Sequence, residues 1–215
     1  MAERRHPLLA REGWVHIFVA VLAAAVVHYY YGPYWAAPLW AITLFVVQFF
    51  RDPRRHIPSD PLGVVSPADG RVVFVGETHD PYLDRRAIKI SVFMNVFNVH
   101  SNRAPIEGKV INRWYHRGRF FNATLDKASV ENERNALWLQ TDEKDDITCV
   151  QVAGLIARRI LCYAQPGDRL GHGERYGFIR FGSRVDVYLP INTKIETKLG
   201  DKLKAGSDII AHLVH

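Results

Sequence analysis

No lysine, arginine, aspartate or glutamate occurs between Glu12 and Arg51, a stretch of 38 residues. A helix needs about 20 mainly apolar residues to cross a bilayer. A Gly-Pro pair at positions 32–33 divides the stretch into two apolar segments of 19 and 17 residues, and a helix does not run cleanly through such a pair. The stretch therefore predicts a hairpin of two short apolar helices.

Aromatic and basic residues flank these segments in the pattern of a membrane protein. The aromatic residues crowd around the Gly-Pro pair, as at a membrane–water interface; they are Tyr29, Tyr30, Tyr31, Tyr34, Trp35 and Trp40. Basic residues precede and follow the stretch: Arg4, Arg5, Arg11, Arg51, Arg54 and Arg55. The positive-inside rule places both ends on the cytoplasmic side. We expect residues 1–51 to be a membrane-anchoring segment.

Three other interpretations of this stretch stay open. A cleaved signal peptide has one short apolar core followed by a small-residue cleavage site, and the second apolar segment argues against it. A hairpin buried in a soluble protein is the second interpretation, because two histidines, a proline and a glutamine weaken both segments. The third is shallow insertion into one leaflet of the bilayer.

The overall composition narrows the classes of partner. The 215 residues suffice for one compact domain and an appendage. The formal net charge of +6 and the pI of about 9.4 suit an anionic lipid or substrate. Lysine and arginine are scattered without stacking aromatics, which does not favour nucleic-acid binding. Cys149 and Cys162 lack the spacing of a disulfide framework or zinc site, so we expect no metal and a reducing compartment.

From Asp52 onwards the sequence predicts a β domain. Short runs rich in β-branched residues alternate with glycine, proline, asparagine and aspartate, and helical periodicity is weak. The runs are 70–75, 87–93, 108–114, 136–141, 148–160, 184–189 and 209–213. We expect residues 52–215 to form one mainly β domain, an antiparallel sandwich or barrel.

Two pairs of repeated motifs refine this expectation. Residues 67–72 and 105–110 share the pattern Pro-x-acid-Gly-basic-Val, and residues 167–173 and 200–206 share Gly-Asp-basic-Leu-x-x-Gly. The glycines suit turns with positive φ, and each valine begins a strand. Such paired motifs resemble the barrel-sandwich hybrid of lipoyl and biotinyl domains, a likeness of fold that carries no function.

The dipeptide Gly182-Ser183 lies between two strand-like runs and can carry unusual chemistry. A serine hydroxyl after glycine at a tight turn can attack the preceding carbonyl carbon, which converts the peptide bond into an ester. Loss of the serine α-proton then expels the glycine carboxylate and leaves dehydroalanine, which hydrolyses to a pyruvoyl group with release of ammonia. The reaction needs a base and gains from strain at the turn. A Gly-Ser pair alone is typical of an ordinary turn.

The motifs around this dipeptide give it a context. Phe181-Gly-Ser-Arg184 is followed by an alternating strand about thirty residues before the C-terminus. Segment 66–70 (Ser-Pro-Ala-Asp-Gly), segment 97–105 and segment 122–134 precede it in order. Together with the Gly-Asp-x-Leu motifs and the apolar N-terminus, they resemble the short bacterial phosphatidylserine decarboxylases. The resemblance extends from about residue 51 to residue 215.

The resemblance implies a self-cleaving lyase of phospholipid biosynthesis. The proenzyme is expected to be cut between Gly182 and Ser183 into chains 1–182 and 183–215, which remain associated as a heterodimer. Ser183 is expected to become a covalent pyruvoyl cofactor, which forms a Schiff base with phosphatidylserine and yields phosphatidylethanolamine and CO₂. The enzyme is expected at the cytoplasmic face of the inner membrane. Acyl-chain preference, an archaetidyl-type substrate and a higher oligomer stay open.

The resemblance also implies roles for three further residues. Asp69 of the Ser-Pro-Ala-Asp-Gly segment is expected to assist self-cleavage by orienting or charging a histidine, although aspartate in a turn often binds its own backbone. His100 is expected to transfer protons. Longer bacterial members have a second histidine where this chain has Arg103, which stays protonated and is a candidate for substrate binding. His116 is an alternative base.

Two rival functions remain. The tripeptide Asp126-Lys-Ala128 occurs in lipoyl domains, which predicts a carrier domain modified at Lys127 as the alternative to the enzyme. A carrier domain is usually shorter, and the residues after Lys127 fit the decarboxylase pattern instead. The second rival is a basic protein that binds membrane surfaces, in which the Gly-Ser pair has no chemical role.

Overall fold

The computed structural model describes residues 7–119, 123, 131–154, 159–180 and 182–214. The chain divides into two compact units, Met1–Arg54 and Arg55–His215. The fold is mainly β and is preceded by a pair of apolar helices, as the sequence predicts.

The first unit contains helix α1 (Trp14–Tyr31) and helix α2 (Pro33–Phe49). Gly32 separates them with a φ of +83°, which glycine adopts without strain. Pro33 begins α2, where its missing N–H removes no helical hydrogen bond. The segment Arg11–Tyr31 is long and apolar enough to cross a membrane, with a mean hydropathy of 1.6. Only 11% of the residues in its most apolar part are buried. Length and composition thus suit a membrane helix.

Fourteen strands lie in the described part of the second unit. They are β1 (Gly63–Val65), β2 (Gly70–Asp80), β3 (Arg85–Met94), β4 (Ser101–Arg103), β5 (Gly108–His116), β6 (Arg134–Gln140), β7 (Asp146–Ala153), β8 (Ile160–Cys162), β9 (Arg169–Leu170), β10 (Arg175–Ile179), β11 (Ser183–Leu189), β12 (Lys194–Ile195), β13 (Lys202–Leu203) and β14 (Ile209–His212). Eight of them form one curled sheet in the order β13-β2-β3-β11-β7-β6-β5-β9. Two three-stranded sheets, β1-β14-β12 and β4-β10-β8, complete the unit.

The repeated motifs occupy equivalent places at the two edges of the large sheet. The N–H of Val72 donates to the carbonyl of Asp201, and the N–H of Gly200 donates to the carbonyl of Val72, both at 2.9 Å. Val110 forms the same two hydrogen bonds with Asp168 and Gly167, both at 2.8 Å. The motifs therefore mark a structural repeat that relates β2 and β13 to β5 and β9.

The central strand β11 separates two apolar clusters. Val185, Val187 and Leu189 belong to the main core, whereas Tyr188 belongs to a smaller cluster on the opposite face. Successive side chains of a strand point to opposite faces. Ser183 is therefore on the same face as the main core.

Candidate functional site

Ser183 is the first residue of β11, in the middle of the large sheet. Its partners in the neighbouring strands are Met94 on β3 and Ala153 on β7. The side chain is fully buried, and its Oγ has no hydrogen-bond partner among the described residues. An unpaired buried hydroxyl costs about 1–3 kcal/mol, and no described group competes for the Ser183 Oγ as a hydrogen-bond partner.

Gly182 precedes Ser183 in a left-handed conformation, with a φ of +61°. This conformation is open to glycine and strained for residues with a Cβ atom. Gly154, which directly follows β7, packs against the carbonyl group of Gly182. A Cβ atom built on Gly154 would overlap the Gly182 carbonyl oxygen and lie 2.8 Å from the carbonyl carbon. Two glycines therefore shape the peptide bond that precedes Ser183.

Backbone contacts hold His100 close to the segment that precedes the Gly182–Ser183 peptide bond. Its carbonyl accepts a hydrogen bond from the N–H of Ile179, at 3.2 Å, four residues before Ser183. Its Nδ1 lies 3.0 Å from the carbonyl oxygen of Asn98. A carbonyl oxygen only accepts hydrogen bonds, so Nδ1 carries a proton and the lone pair of the neutral ring is on Nε2.

The strand directions bring four segments to one end of the large sheet. Gly70 begins β2, Met94 ends β3, Ser183 begins β11 and Ala153 ends β7, and each of these strands is antiparallel to its neighbour. Asp69 directly precedes Gly70, and His100 follows Met94 by six residues. The topology thus places Asp69, His100 and the Gly182–Ser183 bond at the same end of the sheet.

Asp69 is 9% exposed and is bound by an arginine. Arg55 donates to both of its carboxylate oxygens at 2.8 Å, and the backbone N–H of Ala205 donates to Oδ1 at 2.8 Å. Within the described ranges, no histidine forms a hydrogen bond or an ion pair with the carboxylate. The aspartate is therefore tied to Arg55, a residue that the sequence suggested only as part of a basic flank.

Arg103, the candidate for substrate binding, is 9% exposed. Its Nη1 donates to the carbonyl of Gly173 at 3.1 Å, and its backbone N–H donates to the carbonyl of Pro67 at 2.9 Å. These contacts join the turns that the repeated motifs form. Substrate binding by Arg103 stays a prediction.

His116 ends β5 and is separated from β11 by β7 and β6. Its ring centroid lies 6.1 Å from that of Tyr82, which belongs to the cluster on the face opposite Ser183. Burial and the charge of Arg134 lower the pKa of His116. The structure therefore does not bring this histidine to the Gly182–Ser183 bond.

A buried ion pair adjoins Ser183 on the other face of β11. Arg184 is 2% exposed and donates to both carboxylate oxygens of Asp186, at 2.7 and 3.0 Å. Its Nη1 also donates to the carbonyl of Ala123, at 2.7 Å. An i, i+2 pair on a strand shares one face, so the sequence contained the signal for this pair.

Asp186→Asn should strongly destabilise the protein, because Arg184 would keep a buried charge without its carboxylate. Breaking one partner of a buried pair costs about 3–5 kcal/mol, and thermal unfolding measures the loss. Glu77→Gln is the control, because Glu77 pairs with Arg86 in an exposed contact at 2.7 Å that contributes little. Equal melting temperatures for both variants would contradict the prediction.

Neither the Cys149 thiol nor a metal cluster offers an alternative chemistry among the described residues. Burial raises the pKa of Cys149 to about 12, and its Sγ lies 3.1 Å from the hydroxyl of Tyr176 in the core. No group of three or more His, Cys, Asp or Glu side chains within the described ranges is placed to hold a metal ion. Lys127, the predicted lipoylation site, lies outside the described residues.

Comparison with known proteins identifies the family of this chain. The family model described as phosphatidylserine decarboxylase matches residues 42–211. The phosphatidylserine decarboxylase proenzymes of Aromatoleum aromaticum and Nitrosomonas europaea are 62% and 58% identical to this chain, over 97% and 96% of its length and 97% and 95% of theirs. That of Cupriavidus pinatubonensis is 59% identical over 97% of this chain and 96% of its own. The resemblance seen in the motifs is confirmed, and the chain belongs to the phosphatidylserine decarboxylase family of enzymes.

Proposed function

We propose that this chain is a proenzyme that cuts itself between Gly182 and Ser183 and then decarboxylates phosphatidylserine. One observation carries the proposal. Ser183 is buried, and its Oγ has no hydrogen-bond partner among the described residues. The residue before it is a glycine with a φ of +61°. The relatives named above are all called proenzymes, which agrees with a processing step.

The proposed cut uses only atoms of the chain and one water molecule. Oγ of Ser183 attacks the carbonyl carbon of Gly182, and the bond from that carbon to the Ser183 nitrogen breaks, which gives an ester and a free amine. A base then removes the α-proton of Ser183, and the Cβ–Oγ bond breaks as the Gly182 carboxylate leaves. This step leaves dehydroalanine. Water then adds to its α-carbon and the nitrogen departs as ammonia, which gives a pyruvoyl group.

His100 is the proposed base. Its Nδ1–H faces the carbonyl of Asn98, so the lone pair on Nε2 is available to accept a proton. The backbone hydrogen bond from Ile179 to His100 fixes His100 beside the segment that carries Gly182. After the cut, the same nitrogen, once it carries a proton, suits proton transfer to the α-carbon of the substrate.

The pyruvoyl group supplies an electron sink for the electron pair released as CO₂ leaves. The first position of β11 suits this group, because its neighbours on the same face are apolar residues of the main core, Met94 and Ala153. A buried apolar site excludes water from the reacting atoms. The carrier function at Lys127 has no comparable support.

The two fragments are proposed to stay together after the cut. Fragment 183–215 would contribute β11, which pairs with β3 along seven residues and with β7 along six. It would also contribute β12, β13 and β14, so its strands lie in two of the three sheets. A 33-residue fragment placed in this way cannot leave without unfolding the second unit.

We also propose that α1 and α2 anchor the enzyme to the cytoplasmic face of the inner membrane. Arg11–Tyr31 has the length and composition of a membrane helix. Many large apolar side chains of the pair are exposed, among them Val15 at 71% and Phe18 at 67%. Exposed apolar patches of this kind mark contact with a membrane or another protein, and the phospholipid substrate favours the membrane.

Asp69 is proposed to support the cut by fixing the turn before β2. Asp69→Asn should slow self-cleavage at least about tenfold, because it removes the charge that binds Arg55 and Ala205. Glu107→Gln is the matched control, since Glu107 occupies the equivalent position of the repeat and pairs with the exposed Arg169 at 2.8 Å. The time course of cleavage after synthesis measures both variants. Equal rates would exclude the proposed role of Asp69.

Intact-mass measurement of the purified protein tests the proposed function. We expect two fragments, 1–182 and 183–215, with a pyruvoyl group at the new N-terminus of the smaller fragment. We also expect release of CO₂ from phosphatidylserine labelled in its carboxylate. A single uncut chain with full activity would refute the proposed mechanism, and a single chain carrying lipoyl mass would establish the carrier function.

A further inference from the structure

A backbone hydrogen bond joins Arg180 and Arg159 beside the segment that leads into the Gly182–Ser183 bond. The backbone N–H of Arg180 donates to the carbonyl of Arg159 at 3.4 Å. Arg180 directly follows Ile179, whose N–H donates to the carbonyl of His100. Three residues span at most about 10 Å, so a long side chain at position 180 has the reach to contact a molecule bound at Ser183.

Neither arginine side chain has an anionic partner in the described part of the chain. Arg180 is partly buried, and its Nε is inaccessible to solvent and forms no hydrogen bond there. Arg159 is exposed and likewise forms no ion pair with a described residue. This sets them apart from Arg55, which binds Asp69, and from Arg184, which binds Asp186.

The Nε of Arg180 is withdrawn from water without a hydrogen-bond partner among the described residues, which is unfavourable unless an anion approaches it. Guanidinium groups match phosphate oxygens through pairs of parallel N–H donors. In a phosphatidylserine head group only Cβ and one oxygen separate the serine α-carbon from phosphorus. An anion-binding site within reach of Ser183 therefore suits the phosphodiester of a lipid whose serine reacts there.

We propose that Arg180 and Arg159 form the subsite that binds the phosphodiester of the phospholipid head group. The proposal rests on the proposed function, because it places the serine of the lipid at Ser183. Arg180 holds the phosphate near the reacting atoms, and the exposed Arg159 meets it from the solvent side. The two side chains thus select a phosphodiester-linked serine over the free amino acid.

Arg180→Gln and Arg159→Gln test the proposal in the full chain. Activity is measured per cleaved molecule with dihexanoyl phosphatidylserine at concentrations where it is monomeric, which removes the effect of membrane surface charge. We expect each variant to raise KM about 10- to 100-fold with a smaller change in kcat. Arg86→Gln is the control, because Arg86 pairs with Glu77 at 2.7 Å beside the opposite end of the sheet and should leave KM unchanged.

A competitor identifies which anion the arginines bind. Dihexanoyl phosphatidylglycerol has the phosphodiester but neither the amine nor the carboxylate of serine. It should inhibit the parent enzyme competitively and lose about 10-fold or more in affinity in both variants. An unchanged inhibition constant with a raised KM would mean that the arginines bind the serine carboxylate, and would overturn the proposal.

Two further outcomes are informative. If Arg180→Gln is not cleaved, Arg159→Gln tests the subsite alone, because its exposed side chain lies farther along the chain from the cut. Unchanged KM values in cleaved variants would refute the subsite while the parent enzyme remains an active decarboxylase. A parent chain that neither cuts itself nor releases CO₂ would instead refute the proposed function.

Discussion

Ser183→Ala should give a single uncut chain of 215 residues without decarboxylase activity. The proposed route begins with attack by Oγ of this residue, and a methyl group cannot replace it. The substitution should cost no stability, because the Oγ has no hydrogen-bond partner among the described residues and the side chain is fully buried. Denaturing electrophoresis, activity and thermal unfolding measure the three expectations.

Ser91→Ala is the matched control for this variant. Ser91 is 1% exposed on the neighbouring strand β3, and its Oγ likewise has no partner among the described residues. It pairs with Asp186, three positions along β11 from Ser183, and should be cut like the parent. Ser183→Cys should retain some cleavage, because a thiol can attack the same carbonyl. Two fragments from Ser183→Ala would show that another group attacks the chain.

The fold was largely predictable because short sequence motifs mark its structural repeat. The Gly-Asp turns and the valines Val72 and Val110 are local signals, and the structure joins them by equivalent hydrogen bonds. The order of strands in the large sheet was not predictable, because β11 lies between β3 and β7, which are distant along the chain. Pairing between distant strands depends on the packing of the whole core and leaves no periodic signal.

Residues of the candidate site could be predicted only where they belonged to a recognisable sequence motif. Ser183 and His100 were identified by their motifs, and the strand directions bring them to one end of the sheet. Sequence reasoning did not include Arg55 and Gly154 in the candidate site, for physical reasons. An arginine that follows a polar linker has the pattern of a solvated or membrane-proximal charge, and a glycine after a strand has the pattern of a turn. Only the folded chain shows that they contact Asp69 and Gly182.

Gly154→Ala should strongly slow the cut, although residue 154 forms no bond in the reaction. A Cβ atom at this position would overlap the carbonyl oxygen of Gly182, so either the Gly182 carbonyl or the end of β7 must shift. Overpacking of this kind costs about 1–3 kcal/mol. If the shift displaces the carbonyl carbon from Ser183 Oγ, the rate should fall about 5- to 150-fold. The fraction of uncut chain against time measures the effect.

The experiment separates positioning of the bond from a general loss of structure. Gly76→Ala is the control, because a Cβ atom there would lie 3.7 Å from the Phe74 ring and should not affect cleavage. Combining Gly154→Ala with Ser183→Ala gives an uncut chain whose thermal unfolding reports the structural cost alone. Hydroxylamine, which cleaves esters, should cut the parent during processing but not Gly154→Ala, since the displaced carbonyl forms little ester. Normal cleavage in a folded Gly154→Ala protein would show that the contact between Gly154 and Gly182 has no part in the reaction.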